Sequence, residues 1–132
     1  MILREVNPDN MADVRTLYRL LQERTPEQSI SHKAMPTFDR HYEFVANNSY
    51  LAWYILSVGM ANVGSIYLSQ RREIGVFVFR MHQRKGYARA AVEELMRMHP
   101  GKFLANVAPG NGASHALWRS FGGKQIQVTY EL

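Results

Sequence analysis

Apolar positions recur along this chain with two periods, and the switches between them mark its elements. Residues 1–6 (MILREV) read as a first strand. Asp9 or Asn10 can then cap a helix on which Met11, Val14, Leu17, Tyr18 and Leu21 fall three and four apart. From 23 to 35 the chain turns polar and irregular, with Pro26, Ser29 and Ser31, which predicts a long loop of the kind that often carries function. Thr37 can cap a second helix bearing Phe38, Tyr42 and Val45 on one stripe. Three strand-like runs follow at 50–58, 62–69 and 73–79, separated by short polar or Gly-containing links that suit antiparallel hairpins. In the third run Ile74, Val76 and Val78 alternate with Gly75, Phe77 and Phe79, so both faces are apolar and the strand is expected to be central.

A helix is predicted over 86–99, where Ala88, Ala91, Val92 and Leu95 keep helical spacing before Pro100-Gly101. A short strand at 102–107, a Pro-Gly-Asn-Gly turn, a helix near 111–121 and a last strand at 124–132 complete the order β-α-α-β-β-β-α-β-α-β. The class expected is mixed α/β (α+β), a mostly antiparallel sheet flanked by helices, in a single domain spanning 1–132.

Composition narrows the chemistry. Cysteine is absent, which excludes disulfide scaffolds, Cys-ligated zinc and thiolate nucleophiles. No apolar stretch follows the first residues, and the longest apolar run is about half of a membrane span, so neither a secretory signal nor a membrane partner is expected and the compartment expected is the cytoplasm. A net charge of +5 suits a polyanionic partner. Nucleic acid is not the partner expected, because the basic residues are scattered from Arg4 to Lys124 without interleaved aromatics; a basic nucleic-acid-binding domain stays as a remote alternative. None of His32, His41, His82, His99 and His115 forms a His-x-x-x-His pair, so no metal site is expected.

The segment that carries chemistry is Gln83-Arg84-Lys85-Gly86-Tyr87-Ala88-Arg89, where a strand hands over to a helix. A helix N-terminus offers free N–H groups and partial positive charge; Gly86 permits close approach, Ala88 keeps the surface small, and Arg84, Lys85 and Arg89 add cations. The pattern suits a pyrophosphate, with an ordinary basic loop as the plainer alternative. The P-loop and dinucleotide fingerprints both fail here.

At these residues the chain resembles the GNAT superfamily of acetyl-coenzyme A-dependent N-acetyltransferases. Gln83, Gly86 and Ala88 fit its Gln/Arg-x-x-Gly-x-Gly/Ala motif, and Asn111, Ser114, Leu117 and Gly122 fit its second signature. The resemblance implies acetyl-CoA as cosubstrate, its pantetheine arm lying along Val76, Phe77 and Val78, its pyrophosphate on the amides of Arg84 to Arg89, and Asn111 bonded to the arm. Asn111 reads equally well as a helix cap. The Val78 N–H is the implied donor to the thioester carbonyl, a bond that strengthens as negative charge develops there. Glu73 is the candidate general base for a small-molecule amine, favoured by an apolar surround of Tyr67, Ile74 and Phe77; a solvated carboxylate paired with Arg71 or Arg72 is the alternative. His32, in the loop that usually lines the family's acceptor site, is the further substrate-binding candidate. The run from Ser29 to His41 is similar to a subgroup associated with amino-sugar modification, which implies an amino sugar or nucleotide-linked amino sugar as acceptor. One departure stands out: Trp118 occupies the place of the family's usual Tyr acid, and an indole does not readily give up a proton. Water, the acceptor's own ammonium or His115 would have to replace it. A coenzyme A-binding module without transfer therefore stays open as an alternative. The family fold usually ends with one strand more, so an uncovered sheet edge and a homodimer that shields it are expected.

Overall fold

The computed structural model describes residues 1–24 and 34–132. Its elements are β1 (Ile2–Glu5), α1 (Met11–Glu23), α2 (Phe38–Ala46), β2 (Ala52–Val58), β3 (Ala61–Leu68), β4 (Ile74–Val78), a short 3-10 turn (Arg80–His82), α3 (Tyr87–Met98) and α4 (Gly112–Ser120). The strands form one antiparallel sheet in the order β1-β2-β3-β4. The mixed α/β class expected from the sequence is borne out.

Each face of the sheet is closed by a different pair of helices. On one face Leu56, Ile66, Leu68 and Ile74 pack against Ala91, Val92 and Leu95 of α3, with Leu117 and Trp118 of α4 beside them. On the other, Trp53 and Ile55 meet Val14, Leu17 and Leu20 of α1 and Val45 of α2. Side chains such as Leu56 and Ile66 are fully buried, each contributing about 1.5–3 kcal/mol.

The caps were legible, the first narrowed from Asp9 or Asn10 to Asn10. Asn10 Oδ1 accepts from the Ala12 N–H, Thr37 Oγ1 from that of Arg40, and Asn111 Oδ1 from that of Ser114. The helix stripes were less so. Met11 and Tyr42 are exposed, whereas Asp13, Thr16 and His41 are buried. Arg4 holds Asp13 with two hydrogen bonds of 2.9 and 2.8 Å, and the Asn7 N–H adds a third at 3.0 Å, which is how a carboxylate sits in a core. His41 Nε2 meets the Val14 carbonyl oxygen at 3.0 Å, and His99 Nε2 the Tyr54 hydroxyl at 2.8 Å.

Three expectations are corrected. β4 is not central but the edge of the four-stranded sheet, although both its faces are covered. Residues 102–107 form no strand; only Leu104 bridges to Glu73, in parallel, its N–H donating to Arg72 O and its carbonyl accepting from the Ile74 N–H. Residues 124–132 form no strand either: Ile126, Val128, Tyr130 and Leu132 are exposed, and alternation alone makes no strand without a partner edge. No helix among the described residues is long and apolar enough to cross a membrane.

Candidate active site

A cleft of about 900 Å³ runs from the aromatics Tyr50 and Trp53, past β4, to the start of α3 and one face of α4. Its floor follows from strand parity. Phe79 donates its N–H to Val63 O and Ser69 donates to Glu73 O, so the odd-numbered residues of β4 face β3. The even ones, Ile74, Val76 and Val78, direct N–H and C=O outward. Ile74 uses this direction to pair with Leu104, after which the chain diverges. Beyond that point the edge is open: among the described residues the N–H groups of Val76 and Val78 meet no acceptor, and the Val78 carbonyl receives only Gln83 Nε2, at 3.1 Å. Phe77 is excluded from this edge, since its backbone faces Ser65 of β3; its ring instead lies on the sheet face toward α1.

The turn into α3 is built for exposed amides. Arg84 and Gly86 both take left-handed backbone, with φ of 63° and 80°. Gly86 is the N-cap, and a Cβ there would meet nothing within 4 Å, so conformation and not crowding calls for glycine. The first intrahelical bond runs from the Ala90 N–H to Gly86 O; among the described residues those of Tyr87, Ala88 and Arg89 have no acceptor. Arg84 and Lys85 are exposed beside them. Arg89 differs from expectation in its side chain, which turns aside to Ser120 Oγ at 2.5 Å, to Glu93 at 3.2 Å and over the Phe121 ring. Only its backbone N–H remains for the cleft.

Glu73 stands where β4 begins, and its surround is polar, correcting the apolar one expected. Its carboxylate accepts from Ser69 Oγ at 3.3 Å and from Asn106 Nδ2. Neither Arg71 nor Arg72 pairs with it among the described residues; Arg72 donates to the carbonyls of Lys102 and His99, at 2.7 and 2.5 Å. Glu73 and Val78 stand five positions apart, about 17 Å of extended strand. Val76 is three residues away, about 10 Å.

On the α1–α2 side an aromatic wall encloses the cleft. Tyr50 and Tyr67 stack with centroids 4.1 Å apart, and Trp53 meets Tyr50 edge-on at 4.9 Å. Burial raises the pKa of both tyrosines above the ordinary phenol value. The Tyr67 ring fills the space over Gly75: a Cβ there would lie 2.2 Å from Tyr67 Cε2. Arg24, at the C-terminus of α1, lies over Phe77 at 3.4 Å from the ring centroid.

On α4, Asn111 lines the cleft with its Oδ1 committed to the Ser114 N–H, so its amide NH₂ is the part left to face a ligand. Trp118 also lines it, but its indole N–H donates to Ser114 Oγ at 3.1 Å. His115 is not part of the lining. His32 lies outside the described residues. Asn106, Ser69 and Arg24 were missed by the sequence reading; each reaches the cleft through tertiary packing, and no local motif marks them.

Residues 14–122 match the model of the acetyltransferase (GNAT) family. The chain belongs to that family. The family's acyl donor is acetyl-coenzyme A, and GNAT folds recur among solved structures similar to this one. A domain from Methanocaldococcus jannaschii aligns with a TM-score of 0.77 at 21% identity, covering 98% of this chain and 92% of that one. Ribosomal-protein-alanine N-acetyltransferase from Brucella melitensis aligns with a TM-score of 0.73 at 18% identity, over 92% and 83%. The Salmonella typhimurium protein yncA, solved with acetyl-CoA, aligns with a TM-score of 0.69 at 19% identity, over 92% and 78%. No curated protein matches the sequence. At such identities these likenesses concern the GNAT fold.

Proposed function

We propose that this GNAT protein acetylates the primary amine of a small molecule by direct attack, with no acyl-enzyme. The observation that carries the reading is the open edge of β4 ending beside the unpaired amides of α3. The residues fit the donor in chemistry: an extended, amide-bearing arm can exchange hydrogen bonds with the outward N–H groups of Val76 and Val78, and the amides of residues 84–89 suit a diphosphate. Gln83 then acts by holding the Val78 carbonyl, Arg84 and Lys85 by charge, Tyr87, Ala88 and Arg89 by their N–H groups, and Asn111 by its NH₂.

Acetyl-CoA supplies an activated acetyl group on a thiolate leaving group. The amine nitrogen bonds the carbonyl carbon as the carbon–sulfur bond breaks, and the electron pair leaves with sulfur. The Val78 N–H is aimed to stabilise the carbonyl oxygen as it gains charge. Glu73, oriented by Ser69 and Asn106, takes the proton lost by the amine. The separation along β4 makes this a transfer across intervening water. The Trp118 indole has spent its N–H on Ser114 and protonates nothing, so the departing thiolate collects its proton from solvent or from the acceptor ammonium.

That same indole bond supports a second reading, a GNAT module that binds coenzyme A without transfer. Thiol release over an amine panel separates the two: turnover supports the enzyme, and tight calorimetric binding without turnover supports the module. Loss of both overturns each. The amino-sugar acceptor and the cytoplasmic compartment expected from sequence belong to the same proposal. A homodimer is proposed as well, supported by the exposed alternating side chains Ile126, Val128 and Tyr130; elution as a monomer at millimolar concentration would refute it.

A further inference from the structure

Arg24 is placed in a way that packing alone does not explain. Its guanidinium carbon sits 3.4 Å from the Phe77 ring centroid, and its Nε is buried with no hydrogen-bond partner among the described residues. Among the described residues no carboxylate comes within ion-pair distance of it. The neighbouring Glu23 is engaged elsewhere, accepting the Arg80 N–H at 2.7 Å. The groups that face it are the phenols of Tyr50 and Tyr67, which are neutral at physiological pH. Burial lowers its pKa to about 10, so it stays a cation in neutral solution. A ring face offsets part of the cost of desolvating that charge, but it supplies no oxygen acceptor for the guanidinium N–H groups. Such a cation, left in a cleft without an anion among the described residues, is a fork waiting for one.

We propose that the acceptor amine carries an oxyanion, a carboxylate or a phosphate monoester, and that Arg24 receives it. The inference rests on the acetyltransferase reading and names its acceptor class. Position supports it: Phe77 stands between Val76 and Val78 on β4, so a group held by Arg24 lies close to the open edge where transfer takes place. A compact molecule therefore spans from the guanidinium to that edge, flanked by Tyr67 and Tyr50. Arg40 also lines the cleft, and adds to the bias against cationic acceptors. A polyamine would meet like charge here.

The test compares each anionic amine with its neutral counterpart: the twenty amino acids with their carboxamides, and phosphoethanolamine with ethanolamine, with spermidine as the polycation. Thiol release is followed for wild type, Arg24→Gln and Arg24→Lys. The expected result is that an anionic amine exceeds its neutral partner by about 10- to 100-fold in kcat/KM, as a charge-assisted bond implies. Arg24→Gln removes that preference, costing the anionic amine about tenfold or more beyond whatever its neutral partner loses, and Arg24→Lys restores part of it. The carboxylate and phosphate arms distinguish the two sources of oxyanion. Preference for neutral amines or spermidine, or an equal loss for both partners in Arg24→Gln, overturns the proposal. If calorimetry shows no acetyl-CoA binding, the acetyltransferase reading fails by itself. Direct titration of the same anions then decides for Arg24: binding lost in Arg24→Gln upholds the oxyanion seat, and no binding refutes it.

Discussion

Replacing Gly86 by alanine and by glutamate separates backbone strain from charge at the proposed diphosphate seat. Both substitutions add a Cβ at φ 80°, where nothing lies within 4 Å, so neither forces a clash. The shared cost is that of a non-glycine residue in left-handed backbone, about 1 kcal/mol. For a chain of this size that lowers Tm by roughly 4 °C. Glutamate alone places a carboxylate beside the amides of Tyr87 and Ala88. At a separation of about 6 Å and an effective dielectric between those of surface and water, each like-charge pair costs on the order of 1–3 kcal/mol. Coenzyme A affinity should therefore fall about 10- to 100-fold further in Gly86→Glu than in Gly86→Ala, with equal melting temperatures. The difference should shrink as salt rises. Calorimetric titration with coenzyme A at low and high salt, beside thermal denaturation of each variant, measures both terms. Equal affinity in the two variants would refute the placement of the diphosphate on this turn.

Other consequences are equally open to measurement. Glu73→Gln should lower kcat by about 10²- to 10⁴-fold and leave coenzyme A affinity unchanged; full turnover across pH 6 to 9 would remove it as base. Gly75→Ala drives a Cβ to 2.2 Å from Tyr67, so the ring must retreat; stability should drop by about 1–3 kcal/mol and acceptor KM should rise with donor affinity intact. Asp13→Ala strips the acceptor from Arg4 and the Asn7 N–H, and chemical denaturation should register a loss of about 2–3 kcal/mol, since the part-exposed Arg4 recovers some hydration. Above pH 10 the unfolded phenols ionise while Tyr50 and Tyr67, with raised pKa values, stay protonated in the fold. The unfolded state then binds fewer protons, so stability falls as pH rises, with Arg24 opposing the trend; Tyr50→Phe should flatten the decline.

The sequence by itself determined the local features of this molecule, because each depends on residues that are neighbours in the chain. The caps at Asn10, Thr37 and Asn111, the hairpin pairing of β2 to β4, the class of fold and the amide-bearing turn at Gly86 were all legible in short spacings. Tertiary structure alone decided which strand is an edge, because Val76 and Val78 look the same in sequence whether or not a neighbour pairs with them. It also decided that residues 102–107 leave the sheet after Leu104, that Phe77 turns its backbone to β3, and that Arg89 leans to Ser120. The surround of Glu73 and the placing of Arg24 over Phe77 join residues that lie 33 and 53 positions apart. No period or motif encodes such a meeting; it exists only once both faces of the sheet have been packed.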